Sequence, residues 1–334
     1  MKVNQLIKRC LLVGVAVLGI GGSVGLNNQP INASAKSFRL HFHRGYRMQS
    51  IKKRDLISDN YNVKHARAAV AMDANTGNVV YNKNGDKRMK IASVAKLMTL
   101  YLVAQKAQSI NNGWNQQVNT SNAGLKRMSY NSTLNGGFKF KRNHYSVKQL
   151  FRAALVGSSN NSAIALGQWV SGSNKSFIKA MNRQAKAWNL NASFVSASGL
   201  ENNDLARYGF WAKGGYYAGN EVSANSVATI ARNVLNEYPS IVNDAKRLSI
   251  KVAGQRLTNV NSLLNGGRLS HFSKGLYIDG LKTGYTGPAG LCFVGTSQKP
   301  GKDRMITVVL HDDYEFTDTT SLMQHLYSTS DAFN

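Results

Sequence analysis

The segment Ile91–Leu100, IASVAKLMTL, constrains this chain more than any other stretch. It sets Ser93 three residues before Lys96 at the head of an apolar run. In a helix those two side chains share one face, one turn apart, so a hydroxyl and an amine meet there. A serine is a poor nucleophile until a base takes its proton, and a partly desolvated lysine is such a base. The continuation, LMTLYLVA, is mostly apolar and predicts a buried helix that holds both groups rigid and partly dry.

Ser-x-x-Lys is weak evidence alone, because it occurs three times: Ser50/Lys53, Ser93/Lys96 and Ser176/Lys179. Context separates them. Ser50 lies in a basic stretch without periodicity. Ser176 opens SFIKAMNRQAKAW, where it reads as a helix cap and Lys179 as surface. Only Ser93 follows a strand–turn–strand pattern and enters an apolar segment.

The chain has 334 residues, 43% of them hydrophobic, enough for one large domain with a real core. Residues 1–35 read as a secretory leader: Lys2, Lys8 and Arg9, an apolar run from Leu11 to Leu26, then Ala33-Ser34-Ala35 as a small-x-small cleavage site. The rival reading, a retained anchor, suffers from a run that is short for a span and broken by five glycines. The chain after the leader keeps a single cysteine, Cys292 in LCFVGT, so export here does not imply a disulfide framework; Cys292 reads as a small core hydrophobe. The expected location is outside a bacterial cell, in the wall or at the outer face of the cytoplasmic membrane.

The formal net charge is +26; the leader carries three of those charges and no acid, leaving +23. A field of that size attracts polyanions, which outside a bacterium means anionic wall polymers or lipid head groups. No nucleic-acid motif accompanies it, so nucleic acid is set aside as a partner.

Residues 36–66 are basic and irregular and read as a flexible arm. His41 and His43 are spaced like a metal pair but lack a third ligand nearby, and read as solvated. The ordered domain is expected over 67–334. AAVAM, DANTG and NVVYN predict a hairpin. The Ser93 helix runs to about Ala107, and 111–137 reads as loops or short pieces. Helices are predicted over Ser146–Val156, Asn161–Val170, Ser176–Trp188 and Val222–Glu237, with a break at Gly157-Ser158-Ser159-Asn160. LSIKVAG, GLYIDGLKTG, LCFVGTSQ and RMITVVLHD read as strands, and a last helix spans Thr317–Leu326. Strands at both ends with helices between them predict an α/β (α+β) domain, its mostly antiparallel sheet collected from both chain ends with a helical block inserted.

Three short motifs then fall in order: Ser93-Val94-Ala95-Lys96 at a helix start, Ser158-Ser159-Asn160 between helices, and Lys282-Thr283-Gly284 in a strand. Ser-x-Asn recurs at Ser58 and Ser223, whereas Lys-Thr-Gly occurs once. This ordered set is that of the serine β-lactamases and penicillin-binding proteins. With its flanks MDANTGNVVYNKNGDKRMKIASVAKLMT, ALVGSSNNSAIAL and IDGLKTGYTGPAGLCFVGT, the chain resembles, from about Ala68 to Tyr327, the low-molecular-mass penicillin-binding proteins that are serine-type D-alanyl-D-alanine carboxypeptidases.

The resemblance implies a β-lactamase/transpeptidase-like fold and a peptidoglycan stem peptide as substrate, with β-lactams as covalent inhibitors and no metal or organic cofactor. It implies Ser93 as nucleophile, Lys96 as its base, Ser158 as proton relay to the departing D-alanine, and Asn160 as holder of Lys96 or of the substrate amide. Lys282 and Thr283 are expected to face the substrate carboxylate, Gly284 to let the substrate lie along the strand edge, and the N–H groups of Ser93 and Tyr285 to form an oxyanion hole.

Some positions depart from the family pattern. Ser159 and Asn161 stand where glycine and aspartate are usual, and Val260 stands where an arginine often helps hold the carboxylate, with Arg268 as a substitute. The aromatic, glycine-rich stretch Leu205–Asn220 is long and reads either as a packed surface loop or as a platform for glycan or peptide. Three other functions share these features: a class A-like β-lactamase, which lacks a clear Glu-x-x-Leu-Asn stretch here, a transpeptidase or endopeptidase working through the same acyl-enzyme, and an inactive wall-binding protein.

Overall fold

The structure is a computed structural model that describes residues 38–57 and 59–333. The expected leader, residues 1–35, lies outside the described residues. Among the described residues no helix is long and apolar enough to cross a membrane.

β1 (Ala68–Asp73) and β2 (Val79–Lys83) form the hairpin expected from their sequence. β3 (Arg88–Lys90) leads into a 3-10 turn, Ala92–Ala95, which runs on as α1 (Lys96–Ser109). Within 111–137 lie the short β4 (Gln117–Asn119) and the two-turn α2 (Ala123–Tyr130), capped by Asn122. β5 (His144–Ser146) opens α3 (Val147–Leu155), where Ser146 and Gln149 close a reciprocal capping box. Two longer helices follow, α4 (Asn160–Ser171) and α5 (Asn174–Ala187). Ser173, not Ser176, caps α5: its hydroxyl accepts from the Ser176 N–H, so Ser176 sits one turn inside. The chain continues through β6 (Ala192–Ser193), α6 (Asn202–Ala206), β7 (Glu221–Ser223), α7 (Ala224–Glu237) and α8 (Ile241–Ala245). β8 (Ser249–Val252) and β9 (Gln255–Thr258) pair as a ribbon. β10 (Ile278–Thr286), β11 (Gly290–Ser297), β12 (Met305–Asp312) and α9 (Glu315–Thr329) complete the fold.

Strands from both chain ends build one antiparallel sheet in the order β10-β11-β12-β1-β2. Val70 sits opposite Val308, and Val308 opposite Val294. Period-two alternation divides the side chains between two cores. Val70, Met72, Val294, Ile306 and Val308 face the helical block, while Ala69, Ala71, Phe293, Met305 and Val309 pack with Leu322, Met323 and Leu326 of α9. β1, β11 and β12 are therefore covered on both faces and read as near-continuous apolar runs. α1 is buried along nearly its whole length, Lys96 included, in the middle of the helical block.

The segment expected as a flexible arm is instead a strap on the domain from Phe38 onward, and the boundary near residue 66 does not hold. Gln105 of α1 exchanges two hydrogen bonds with the His41 backbone, at 3.0 and 3.2 Å. Gln184 and Trp188 donate to the carbonyls of Phe42 and Arg44, both at 2.7 Å. Asn233 brackets the Tyr46 backbone, and the Arg232 guanidinium lies 3.6 Å from the centre of the Tyr46 ring. Arg39, Arg47, Lys52 and Lys53 are exposed, so the composition reads as a solvated tail. What holds the strap is its backbone, gripped by buried polar side chains of α1, α5 and α7 that no local pattern in the strap reveals, together with Arg44, which pairs with the buried Glu237 of α7 at 2.8 Å.

Candidate active site

Ser93 lies on the 3-10 turn at the edge of the helical block, and Lys96 is the first residue of α1. Their Oγ and Nζ are 2.7 Å apart. Lys96 is fully buried, and its Nζ also lies 2.6 Å from Asn160 Oδ1 and 2.7 Å from the Ser198 carbonyl. The Asn160 amide is oriented by its own donor, since Nδ2 gives a hydrogen bond to the Leu134 carbonyl at 2.8 Å, which leaves Oδ1 for Lys96. Burial drives the Lys96 ammonium well below the ordinary lysine range, and the charge of Lys282 pushes it the same way. A neutral amine has two N–H bonds and one lone pair. Asn160 Oδ1 and the Ser198 carbonyl accept only, so they take the two N–H bonds, and the lone pair is left facing the Ser93 hydroxyl.

The second motif enters from the α3–α4 loop. Ser158 is in the left-handed region at φ 54°, an uncommon conformation for a residue with a Cβ. Its Oγ accepts from Lys282 Nζ at 2.9 Å, and Lys282 also donates to its neighbour's carbonyl, Thr283, at 3.0 Å. Lys282 is 2% exposed, and burial lowers it to about 7. The two residues that depart from the usual pattern turn away from this cluster. Ser159 caps α4 through the Ser162 N–H, and Asn161 is buried with Nδ2 on the Phe138 carbonyl at 3.1 Å.

β10 is the edge strand of the sheet, with β11 on one side only. Its outer edge therefore offers backbone donors and acceptors to an extended peptide. Thr283 is half-buried and Tyr285 is exposed. Gly284 has a role beyond a smooth strand edge. A Cβ there would lie 2.9 Å from the Ile91 carbonyl and 3.0 Å from the backbone nitrogens of Ser93 and Val94. Gly199 does the same from the other side: at φ +95° its Cβ would come within 2.0 Å of the Ala92 carbonyl. Two glycines thus let two backbones close on the serine turn, and between them Ala92 holds φ 44°. Left-handed non-glycine residues of this kind cost of order 1–3 kcal/mol each and persist where the surroundings over-determine them.

The Ser198 carbonyl, Gly199 and the Glu201–Thr286 bond, 2.9 Å from Oγ1 to Oε1, were not among the residues expected from sequence. A carbonyl carries no residue signature, and only SASGL, small and glycine-ended, hints at a close approach. Val260 and Arg268 are both exposed. Of the aromatic stretch, Tyr208 and Phe210 are buried, while Trp211, Tyr216 and Tyr217 are exposed; the Tyr217 carbonyl accepts from Lys90 Nζ at 2.9 Å. Cys292 is buried on β11, as a core residue should be.

Residues 57–314 match the D-alanyl-D-alanine carboxypeptidase family model, peptidase S11. The chain is 30% identical over 248 residues to the D-alanyl-D-alanine carboxypeptidase DacF of Bacillus subtilis (strain 168), covering 73% of this chain and 57% of that protein. The chain thus spans a little over half the length of the curated relatives it matches. Among solved structures, a peptidoglycan synthesis regulatory factor from Streptococcus pneumoniae superposes with a TM-score of 0.73 at 34% identity, covering 79% of this chain and 74% of that one. Penicillin-binding protein D2 from Listeria monocytogenes, in its ampicillin-bound form, superposes with a TM-score of 0.63 at 27% identity, covering 80% and 98%. The order of motifs, the sheet built from both chain ends and these matches converge: the chain belongs to the D-alanyl-D-alanine carboxypeptidase family of peptidases.

Proposed function

We propose that this protein is a serine-type D-alanyl-D-alanine carboxypeptidase that removes the terminal D-alanine from peptidoglycan stem peptides. The observation that carries this reading is the buried Lys96, whose amine has two carbonyl acceptors on one side and the Ser93 hydroxyl on the other. Ser93 Oγ attacks the carbonyl carbon of the penultimate D-alanine while Lys96 Nζ takes its proton. The oxyanion is held by the N–H groups of Ser93 and Tyr285, each worth about 3 kcal/mol in such a site. As the C–N bond breaks, the Ser158 hydroxyl passes a proton to the departing amine, and Lys282 stands 2.9 Å behind it to resupply one. Lys282 with Thr283 supplies a cation and a hydroxyl for the free carboxylate of the substrate. Water then releases the shortened peptide from Ser93. A β-lactam enters the same path, but its leaving amine stays tethered and the acyl-enzyme persists. The charge of +23 after the expected leader suits an enzyme working at an anionic wall or membrane surface outside the cell.

The test is intact-mass measurement after incubation with a penicillin, with Ser93→Ala alongside, followed by D-alanine release from a pentapeptide. One stable adduct on the wild type alone, with D-alanine released, is expected. An unmodified wild type with the penicillin intact overturns the reading in favour of an inactive wall-binding protein, and a hydrolysed penicillin overturns it in favour of a β-lactamase.

A further inference from the structure

Between Asp86 and Glu201 the chain has no aspartate or glutamate, and over that span it carries 16 lysines and arginines. This acid-free segment makes up the first part of the helical block, from the serine turn through α5 and β6; α7 and α8, with Glu237 and Asp244, lie outside it. Part of its charge is collected on one face. α5 presents Lys175, Lys179, Arg183 and Lys186, all exposed, at intervals of four, four and three residues. Successive members are therefore about 4–6 Å apart along the axis and run down one side of the helix. The other side of α5 is buried, with Phe177, Ile178, Met181 and Ala185 in the core. The helices and strand packed against it, α1, α4 and β6, also lie within the acid-free segment, and the strap that covers its remaining flank brings Arg39 and Phe42 to it.

This face is grooved. A hollow of about 660 Å³ lies between the strap and α5, walled by Arg39, Phe42, Lys179 and Arg183. An adjoining hollow of about 330 Å³ shares Lys179 and Arg183 and is closed by Lys175 and Lys213. The Arg183 guanidinium stands 5.0 Å from the centre of the Phe42 ring, which fixes it at the junction of the two. The track ends beyond Lys213, where Ser193 accepts from its Nζ at 3.5 Å and Glu221 lies across the strand ladder from Ser193.

We propose that this cationic groove binds a linear polyanion that carries one phosphate per repeat. A furrow with charge at each helical turn suits a chain with one anion per repeat. A furrow encloses a thread-like chain along its floor, whereas a flat anionic lipid surface meets only the cations on the furrow's rim. The aromatic rings at its margin, Phe38 and Phe42, are half-buried and engaged with Lys106 and Arg183. Binding displaces condensed counterions from the polymer, so affinity falls steeply with salt, by about 0.7 in log–log slope for each neutralised phosphate on a single strand. The site is independent of the Ser93 chemistry.

The test uses the whole chain and end-labelled inorganic polyphosphate, followed by anisotropy across a salt series. Lys179→Gln combined with Arg183→Gln is compared with Lys141→Gln combined with Lys148→Gln, two exposed lysines outside α5 that remove the same net charge; thermal melting by circular dichroism shows that each variant is folded. The α5 pair is expected to weaken binding tenfold or more near physiological salt and to flatten the slope by about 1.4, while the control pair changes affinity less than twofold. Equal losses in both pairs overturn the proposal in favour of diffuse net charge. Loss in neither pair overturns it outright. Binding to phosphatidylglycerol vesicles that excess polyphosphate does not displace, and that survives the α5 substitutions, overturns it in favour of a membrane surface.

Discussion

Gly284→Ala tests whether the KTG strand positions Ser93, the proposed nucleophile, by contact. The added methyl would lie 2.9 Å from the Ile91 carbonyl and 3.0 Å from the backbone nitrogens of Ser93 and Val94. All three neighbours are backbone, so no rotamer change relieves the overlap. Ordinary van der Waals contact for such a pair begins at 3.4 Å, so the serine turn and β10 must part by about 0.4–0.5 Å. A misplacement of about 1 Å in a preorganised site costs roughly a hundredfold in rate, so about half that displacement costs about tenfold, or about 1.4 kcal/mol of transition-state stabilisation. Overpacking by one methyl costs stability at the low end of about 1–3 kcal/mol, a fall in Tm of a few degrees. The assay is the second-order rate of acylation by a penicillin, followed by intact mass, beside a melting curve. Gly287→Ala is the control, because a Cβ there meets nothing within 4 Å. An unchanged acylation rate in Gly284→Ala, or an equal loss in Gly287→Ala, refutes the positioning argument.

Three further outcomes follow from the same structure. Lys282 is lowered by burial to about 7 from 10.5, so the unfolded chain holds more protons between those values and stability rises with pH across that window, by up to about 4–5 kcal/mol; denaturation midpoints near pH 7 and near pH 10 should therefore differ more in the wild type than in Lys282→Met, and equal differences refute it. Asp312 is raised to about 6 by burial, with Asp318 adding to the rise, and its Oδ2 has no hydrogen-bond partner; a raised carboxyl costs stability as pH climbs from 3.8 to about 6, so Asp312→Asn should gain about 1–2 kcal/mol at neutral pH and nothing below both values, as read from urea midpoints. Deleting residues 36–50 removes six hydrogen bonds between the strap backbone and the side chains of Gln105, Gln184, Trp188 and Asn233; at about 1 kcal/mol per net hydrogen bond the loss is about 6 kcal/mol, so Tm should fall by about 8–15 °C, whereas a solvated arm would leave it unchanged.

Much of the architecture is a local property of the chain. The hairpin of β1 and β2, the helices α3, α4 and α7 and the strands β10–β12 follow from apolar periodicity and from Ser and Gly at their ends, because an element must turn its apolar side toward whatever covers it. The spacing of Ser93 and Lys96 likewise needs only the helical repeat to bring them onto one face. Charge too is legible as a total, though not as a location.

Other features exist only once distant segments meet. The strap's order depends on amide and indole groups that lie between 64 and 187 residues away along the chain. The state of Lys96 depends on Asn160 and the Ser198 carbonyl, 64 and 102 residues downstream, and on burial that no residue type announces. Gly284 matters through what packs on it rather than through its own torsion angles. The serine and lysine are set by sequence because a helix repeats every few residues; the direction of the amine's lone pair, the squeeze on the serine turn and the grooved basic face were decided by tertiary structure, because hydrogen-bond direction, desolvation and surface shape depend on atoms contributed from across the chain.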